Sequence, residues 1–99
     1  NIPAPPDRLV YLGGWVRATG PWTVILYEFP RTPGKTYLTH AIGSGGKTDW
    51  KHIGGTVHTS ADVRSFKISL ITNGKGEAWF DSFDLRDLST PPLLDIPRL

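Results

Sequence analysis

The sequence predicts an all-β domain, an antiparallel β-sandwich of six to eight strands. Two observations carry this prediction. The 99 residues include 11 Gly and 9 Pro, so breaks in regular structure are frequent and long helices are not expected. Apolar residues also recur at every second position in several separate runs. This period of two is typical of strands that bury one face, and packing two such sheets together buries those faces.

The first recognisable strand runs from Val10 to Ala18, where small and apolar residues occupy every second position. Further β-branched or alternating runs follow at spacings of about 8 to 15 residues: 23–29, 36–42, roughly 50–58, 65–70 and from 78 onward. The NGKG turn at 73–76 predicts a tight hairpin between the last two runs. No helical pattern is long enough for a crossover between parallel strands, so antiparallel pairing is expected.

Proline clusters at both ends suggest connecting segments. Pro3, Pro5 and Pro6 lie in the first six residues, and three further prolines lie in the last nine. We therefore expect a linker or extended N-terminal segment at 1–8, the β-sandwich module at 9–88 and a Pro-rich C-terminal linker at 89–99. Such ends are either frayed termini or the joints of a domain strung between others in a longer protein.

Charge and composition argue against several classes of partner. The formal net charge is +2 and the basic residues are scattered singly, so nucleic acid is not an expected partner. No run approaches the roughly 18 apolar residues that a membrane span needs, so no membrane partner is expected. The absence of cysteine removes disulfides, thiolate zinc sites and cysteine nucleophiles, but leaves the compartment open.

The alternation also predicts which side chains lie opposite the core. The expected face carries two tryptophans, one tyrosine and four polar or charged groups: Tyr11, Trp15, Arg17, Lys67, Ser69, Glu77 and Trp79. Aromatic planes can stack against the apolar face of a sugar ring, while polar groups hydrogen-bond its hydroxyls. In a sandwich, however, such tryptophans are also often packed under loops.

Three ordered motifs carry a resemblance to a known family. These are GGWVRATG at 13–20, DW at 49–50 and SFKISLITNGKGEAWFDSFDL at 65–85. In this order they resemble the carbohydrate-binding modules of the family 4/9/22 group, which are galactose-binding-like jelly rolls. The resemblance implies a jelly roll that binds polysaccharide on a sheet face. It also implies a secreted or cell-surface protein in which the module is the accessory domain of a glycoside hydrolase.

The chain departs from the family pattern in two places. The family's opening strand is not found, so the resemblance leaves open that the first strands are lacking, and its second closing-motif aspartate is Ser82 here. Members often hold a structural Ca²⁺ between the opening segment and the closing motif. Only Asp81 carries over as a ligand, so the resemblance leaves a Ca²⁺ site possible and implies no other cofactor.

These observations predict a non-catalytic module that binds a plant or microbial polysaccharide or oligosaccharide. Trp15 would be the stacking platform, with Trp79 as a second platform or the cleft floor. Arg17, Lys67 and Glu77 would hydrogen-bond the sugar, with Tyr11 on the same face. The expected partners are the sugar and the catalytic domain of the parent enzyme. The alternative is a structural jelly-roll appendage that packs on a neighbouring domain or chain and binds no sugar.

An enzyme is not expected. A glycosidase needs two carboxylates about 5 to 10 Å apart across a cleft, and the only glutamates are Glu28 and Glu77. Glu28 is expected on a solvated strand edge. The three histidines lack metal-ligand spacing and are expected on the surface. By resemblance, Trp50 plugs the end of the core, whereas Trp22 suits a turn-packing role and a cleft-rim role equally well.

Overall fold

The computed structural model describes residues 2–72 and 74–88 and forms a β-sandwich, which confirms the predicted fold class. Two antiparallel sheets pack against each other, and no helix occurs within those residues. The seven strands are β1 (Ile2–Pro3), β2 (Leu9–Ala18), β3 (Trp22–Pro30), β4 (Leu38–Gly45), β5 (Thr48–His58), β6 (Val63–Thr72) and β7 (Ala78–Asp87). The proposed linker at 89–99 lies outside the described residues, whereas the segment at 1–8 contains β1.

The strands form one sheet of four, in the order β1-β6-β3-β4, and one sheet of three, in the order β5-β2-β7. Consecutive strands lie in the same sheet only at the β3–β4 connection, and every other connection within the described residues crosses to the opposite sheet. The central strands are therefore β2 in the smaller sheet and β3 and β6 in the larger. They hold most of the core.

The prediction of a hairpin between the last two strands is wrong. β6 pairs with β3 and β7 pairs with β2, so the turn connects two sheets and not two neighbouring strands. Gly74 and Gly76 do adopt the positive φ angles expected of glycines in a turn, at +71° and +116°. A glycine turn reverses the direction of the chain locally, whereas the partner of each strand depends on packing elsewhere in the sandwich.

Alternate residues of the central strands build the core. In β3 the inward positions are Trp22, Val24, Leu26 and Glu28, each at most 2% exposed. In β2 the inward positions are Val10, Leu12, Val16 and Ala18, which are also at most 2% exposed. Burying a valine or leucine side chain contributes about 1.5–3 kcal/mol, so these strands fix which face of each sheet points inward.

The core is covered unevenly. On the side formed by β6 and β7, the apolar residues packed against the core are only partly buried: Ile68, Ala78, Phe80, Phe83 and Leu85. Leu70 pairs with the fully buried Val24 and so belongs to the inner face, yet it is 44% exposed. The opposite sheet therefore leaves this side of the interior partly open.

A bulge in β7 turns two phenylalanines toward the core. Ser82 has a φ of +53°, and the pairing between β2 and β7 shifts register between Gly13 and Trp15. Phe80 and Phe83 are three residues apart but both pack inward, with ring centroids 6.1 Å apart. Gly14 is required beneath them, because a methyl group there would lie 2.4 Å from the Phe83 ring.

Candidate functional site

The outer face of the three-stranded sheet carries the candidate site, which we call the aromatic face. Its members are Tyr11, Trp15, Arg17, His52, Trp79, Asp81, Asp84 and Arg86. The alternation in β2 places Tyr11, Trp15 and Arg17 opposite the buried positions of that strand. Trp15 and Trp79 are 43% and 42% exposed, so neither is covered by a loop of the described chain.

Cross-strand pairs hold the two tryptophans in place. Trp15 pairs with His52 across the β2–β5 ladder, and the two rings meet edge to face with centroids 5.1 Å apart. Arg17 pairs with Trp79 across the β2–β7 ladder, and its guanidinium carbon lies 5.3 Å from the indole centroid. Edge-to-face and cation–π contacts of this kind orient aromatic rings.

The Tyr11 ring lies over two glycines, Gly13 of its own strand β2 and Gly54 of the neighbouring strand β5. Gly13 and Gly54 pair directly, and a methyl group on them would lie 2.0 Å and 2.4 Å from the Tyr11 hydroxyl oxygen. The lack of side chains at these two positions therefore lets the ring pack down onto the sheet. The guanidinium carbon of Arg86 is 5.1 Å from the ring centroid.

The structure brings together four of the predicted ligand-binding residues and separates two. Tyr11, Trp15, Arg17 and Trp79 share the aromatic face. Glu77 is exposed just before β7, where its backbone amide donates to the Thr19 hydroxyl at 2.8 Å. Lys67 lies on the outer face of the opposite sheet, since β6 pairs with β3 and not with β7. It therefore cannot bind a sugar together with Trp15.

Asp81 lies on the aromatic face, where it pairs with Trp15 across the ladder. Within residues 2–72 and 74–88, no group of three or more His, Asp or Glu side chains could hold a metal ion. Calcium binds through six to eight oxygen ligands. Among the described residues Asp81 is therefore not part of such a side-chain cluster, at the position where the resemblance left a Ca²⁺ site possible.

The other two tryptophans differ from each other in burial. Trp50 was expected to plug the end of the core, but it is 45% exposed and lies two residues before His52 in β5. Trp22 is 2% exposed, and its indole Nε1 donates to the backbone oxygen of Gly46 at 3.1 Å. Trp22 is thus a core residue, and Trp50 adds a third exposed indole to the same sheet.

A second aromatic cluster was missed by the sequence reading. Tyr27, Phe29 and Tyr37 pack together on the outer face of the four-stranded sheet, with ring centroids 5.5 to 6.3 Å apart. The Lys67 ammonium lies 6.0 Å from the Tyr27 centroid, and the four residues line a pocket of about 280 Å³. The alternation in β3 already places Tyr27 and Phe29 on one face, which was the available signal.

Glu28 is buried, which contradicts the expected solvated edge position. Its side chain is 2% exposed and one carboxylate oxygen is bonded to His40 Nε2. The other oxygen accepts a hydrogen bond from the Ser60 amide at 3.0 Å. Glu77 lies outside the core beside Thr19, so the two glutamates are not brought together.

A pocket of about 260 Å³ is lined by Glu28 together with Lys35 and Asp62. The Thr32 hydroxyl donates to Asp62 at 3.0 Å, and the Lys35 ammonium lies 3.5 Å from the same carboxylate. These contacts, chiefly the hydrogen bond from Thr32, lower the pKa of Asp62 below its ordinary value of 3.8. A carboxylate with a lowered pKa stays ionised at neutral pH and is a poor general acid.

No family model matches the chain, and no curated protein or solved structure matches it either. No helix within the described ranges 2–72 and 74–88 is long and apolar enough to cross a bilayer.

Proposed function

We propose that this protein is a non-catalytic β-sandwich module that binds a polysaccharide or oligosaccharide chain along the aromatic face. The observation that carries the proposal is the pair of half-exposed tryptophans, Trp15 and Trp79, on adjacent strands. Each is held by a neighbouring ring or cation and leaves much of its surface to solvent. An oriented, exposed indole can stack against the apolar face of a sugar ring without a large ordering cost.

The spacing of the aromatic residues supports a chain ligand over a single sugar. Trp15 pairs with Asp81 while Arg17 pairs with Trp79, so the two tryptophans are diagonal cross-strand neighbours, about 7–8 Å apart. Tyr11 lies four residues before Trp15, about 13 Å along the strand. Arg17, His52 and Arg86 lie between or beside these rings and supply hydrogen-bond donors for sugar hydroxyls.

In this proposal the module is the accessory domain of a secreted or cell-surface glycoside hydrolase. Its role is to hold the parent enzyme's catalytic domain near a plant or microbial polysaccharide, and its affinity adds to that of the catalytic site through the linker. This context is supported by the resemblance of the ordered motifs at 13–20, 49–50 and 65–85.

Affinity electrophoresis and calorimetry against xylan, β-glucan and mannan test the proposal. We expect one of these to bind, and Trp15→Ala to weaken binding about three- to tenfold or more, because an aromatic contact contributes ~0.5–1.5 kcal/mol beyond its buried area. Tyr37→Ala is the matched control, since Tyr37 is 49% exposed but lies with the cluster on the opposite sheet. Binding by none of the three polysaccharides, or equal binding by wild type and Trp15→Ala, would contradict the proposal.

A second test uses the glycine beneath Tyr11. In Gly54→Ala the new methyl group would lie 2.4 Å from the Tyr11 hydroxyl oxygen, so the ring must lift from the sheet. Because that atom is the far end of a flexible side chain, the fold should survive while sugar affinity falls toward that of Tyr11→Ala. Circular dichroism checks the fold in the same samples, and unchanged affinity would exclude Tyr11 from the binding face.

The second candidate function is a structural jelly-roll domain that packs on a neighbouring domain or chain and binds no sugar. It is favoured by the uneven cover of the core at β6 and β7, where Leu70 is 44% exposed. Size exclusion and a search for a co-purifying polypeptide separate the candidates. A stable complex that covers Trp15 and Trp79, together with no sugar binding, would favour the structural role.

A further inference from the structure

We propose that the outer edge of β7 binds an extended segment of another polypeptide as an eighth strand, and that this segment alternates apolar with basic residues. A jelly roll arranges eight strands in two sheets, and here the chain alternates between a sheet of four and a sheet of three. The edge of β7 that faces away from β2 has no neighbouring strand among the described residues.

The burial of apolar side chains points to the same place. Phe80, Phe83 and Leu85 face the interior from β7 but are only partly buried. Leu70 faces the interior from β6 and is 44% exposed. A strand added beside β7 would extend the smaller sheet over these residues. Apolar side chains at its inward positions would remove exposed core surface from water, which is the main favourable term in association.

The charges on β7 favour a basic occupant. Asp81 and Asp84 are exposed on the outer face of the strand, and the only arginine of β7, Arg86, is bonded to Asp84 at 2.8 Å. Outward positions of an added strand would lie beside these carboxylates. Lysine or arginine at those positions is stabilising, and aspartate or glutamate is destabilising.

The same charges disfavour a second copy of this chain as the occupant. The charged residues on the outer face of β7 are Asp81, Asp84 and Arg86, since Asp87 pairs with the buried Val10 and is bonded to Arg8. Edge-to-edge pairing of two β7 strands would therefore bring two acidic edges together, and like charges directly opposite each other destabilise a ladder. A separate polypeptide with complementary charge avoids this repulsion.

The bulge at Ser82 makes the prediction specific. Its φ of +53° interrupts the regular strand, and bulges of this kind locally end pairing. We therefore expect an added strand to protect backbone amides in two groups, one within Ala78–Asp81 and one within Phe83–Arg86. A peptide that binds elsewhere on the surface would not produce this pattern.

Hydrogen exchange measured by NMR on the full chain tests the proposal. The probe is a synthetic peptide of about ten residues that alternates valine and lysine, and the matched control alternates valine and glutamate. The lysine peptide should slow exchange in both groups of β7 amides and bind about three- to thirtyfold tighter than the control, since two cross-strand charge pairs are involved. Absence of protection at β7 at saturating peptide would overturn the proposal.

Charge reversal supplies the second arm of the test. In the double variant Asp81→Lys and Asp84→Lys the preference should reverse toward the glutamate peptide. An unchanged preference would overturn the assigned charge pattern. Protection of β7 that rises with protein concentration in the absence of peptide would instead identify a second copy of the chain as the occupant, and would equally overturn the proposal. Sugar binding is tested separately, by a polysaccharide titration followed by tryptophan fluorescence.

Discussion

Replacing Glu28 with alanine should strongly destabilise the fold. The carboxylate is 2% exposed and has two partners, His40 and the Ser60 amide. A hydrogen bond to a charged group contributes about 1.5–3 kcal/mol. The contact to His40 is discounted, because that side chain is 27% exposed. The two contacts then give a loss of ~3 kcal/mol, which lowers the Tm of a chain of this size by about 12–24 °C.

Glu28→Gln separates the contribution of charge from that of hydrogen bonding. The amide keeps an oxygen that can accept from Ser60 and gains a donor toward His40. We expect it to lose only about 1 kcal/mol. The double variant of Glu28→Ala and His40→Ala should be more stable than the sum of the single losses implies, because the two side chains are in contact.

Thermal and urea unfolding followed by far-ultraviolet circular dichroism measure these values. Glu77→Ala is the matched control, because the only other glutamate is exposed. Its free energy of unfolding should stay within about 0.5 kcal/mol of wild type. A Glu28→Ala variant as stable as Glu77→Ala, or a Glu28→Gln variant that loses as much stability as Glu28→Ala, would contradict the stabilising role of the buried carboxylate.

Two further predictions concern packing and acid stability. Gly14→Ala places a methyl group 2.4 Å from the Phe83 ring and should destabilise by about 1–3 kcal/mol. Gly46→Ala, where no atom lies within 4 Å of the new methyl group, should change unfolding by less than about 0.5 kcal/mol in the same denaturation assay; equal losses would contradict the packing explanation. The lowered pKa of Asp62 stabilises the fold above its unfolded value near 3.8, and this stabilisation is lost as pH falls through the lower folded pKa. Asp62→Asn or Thr32→Val should therefore flatten the decline in the free energy of unfolding below about pH 4. Denaturant unfolding at a series of acidic pH values measures this decline. An unchanged decline in both variants would show that other carboxylates cause it.

The period of two predicted much of the fold and part of the site. In β2 it placed Tyr11, Trp15 and Arg17 on one face, because alternation is a local property of an extended chain. Pairing between strands is not local. Lys67 was therefore assigned to the wrong sheet, since the NGKG turn reads as a hairpin while packing directs β6 and β7 into different sheets.

The composition of the chain also could not predict that the charged residue Glu28 is buried. Glu28 continues the inward series of Val24 and Leu26, so the alternation alone indicated a buried position. Its charge favoured solvent, and only the partners from His40 and Ser60, which come from other elements, make burial acceptable. The cluster of Tyr27 and Phe29 was missed for a similar reason, since its third member comes from the loop before β4.

The strict division of β2 into two sets of positions has a consequence for how this protein can change. Residues at even positions point into the interior, with Val16 fully buried, whereas Trp15 contacts His52 and Arg17 contacts Trp79 on the outer surface. The side chains at positions 15 and 17 can thus be changed while the interior keeps its shape. Gly13 cannot be changed in the same way, because any side chain at this position displaces Tyr11. A library built on β2 should vary positions 15 and 17 and leave position 13 as glycine.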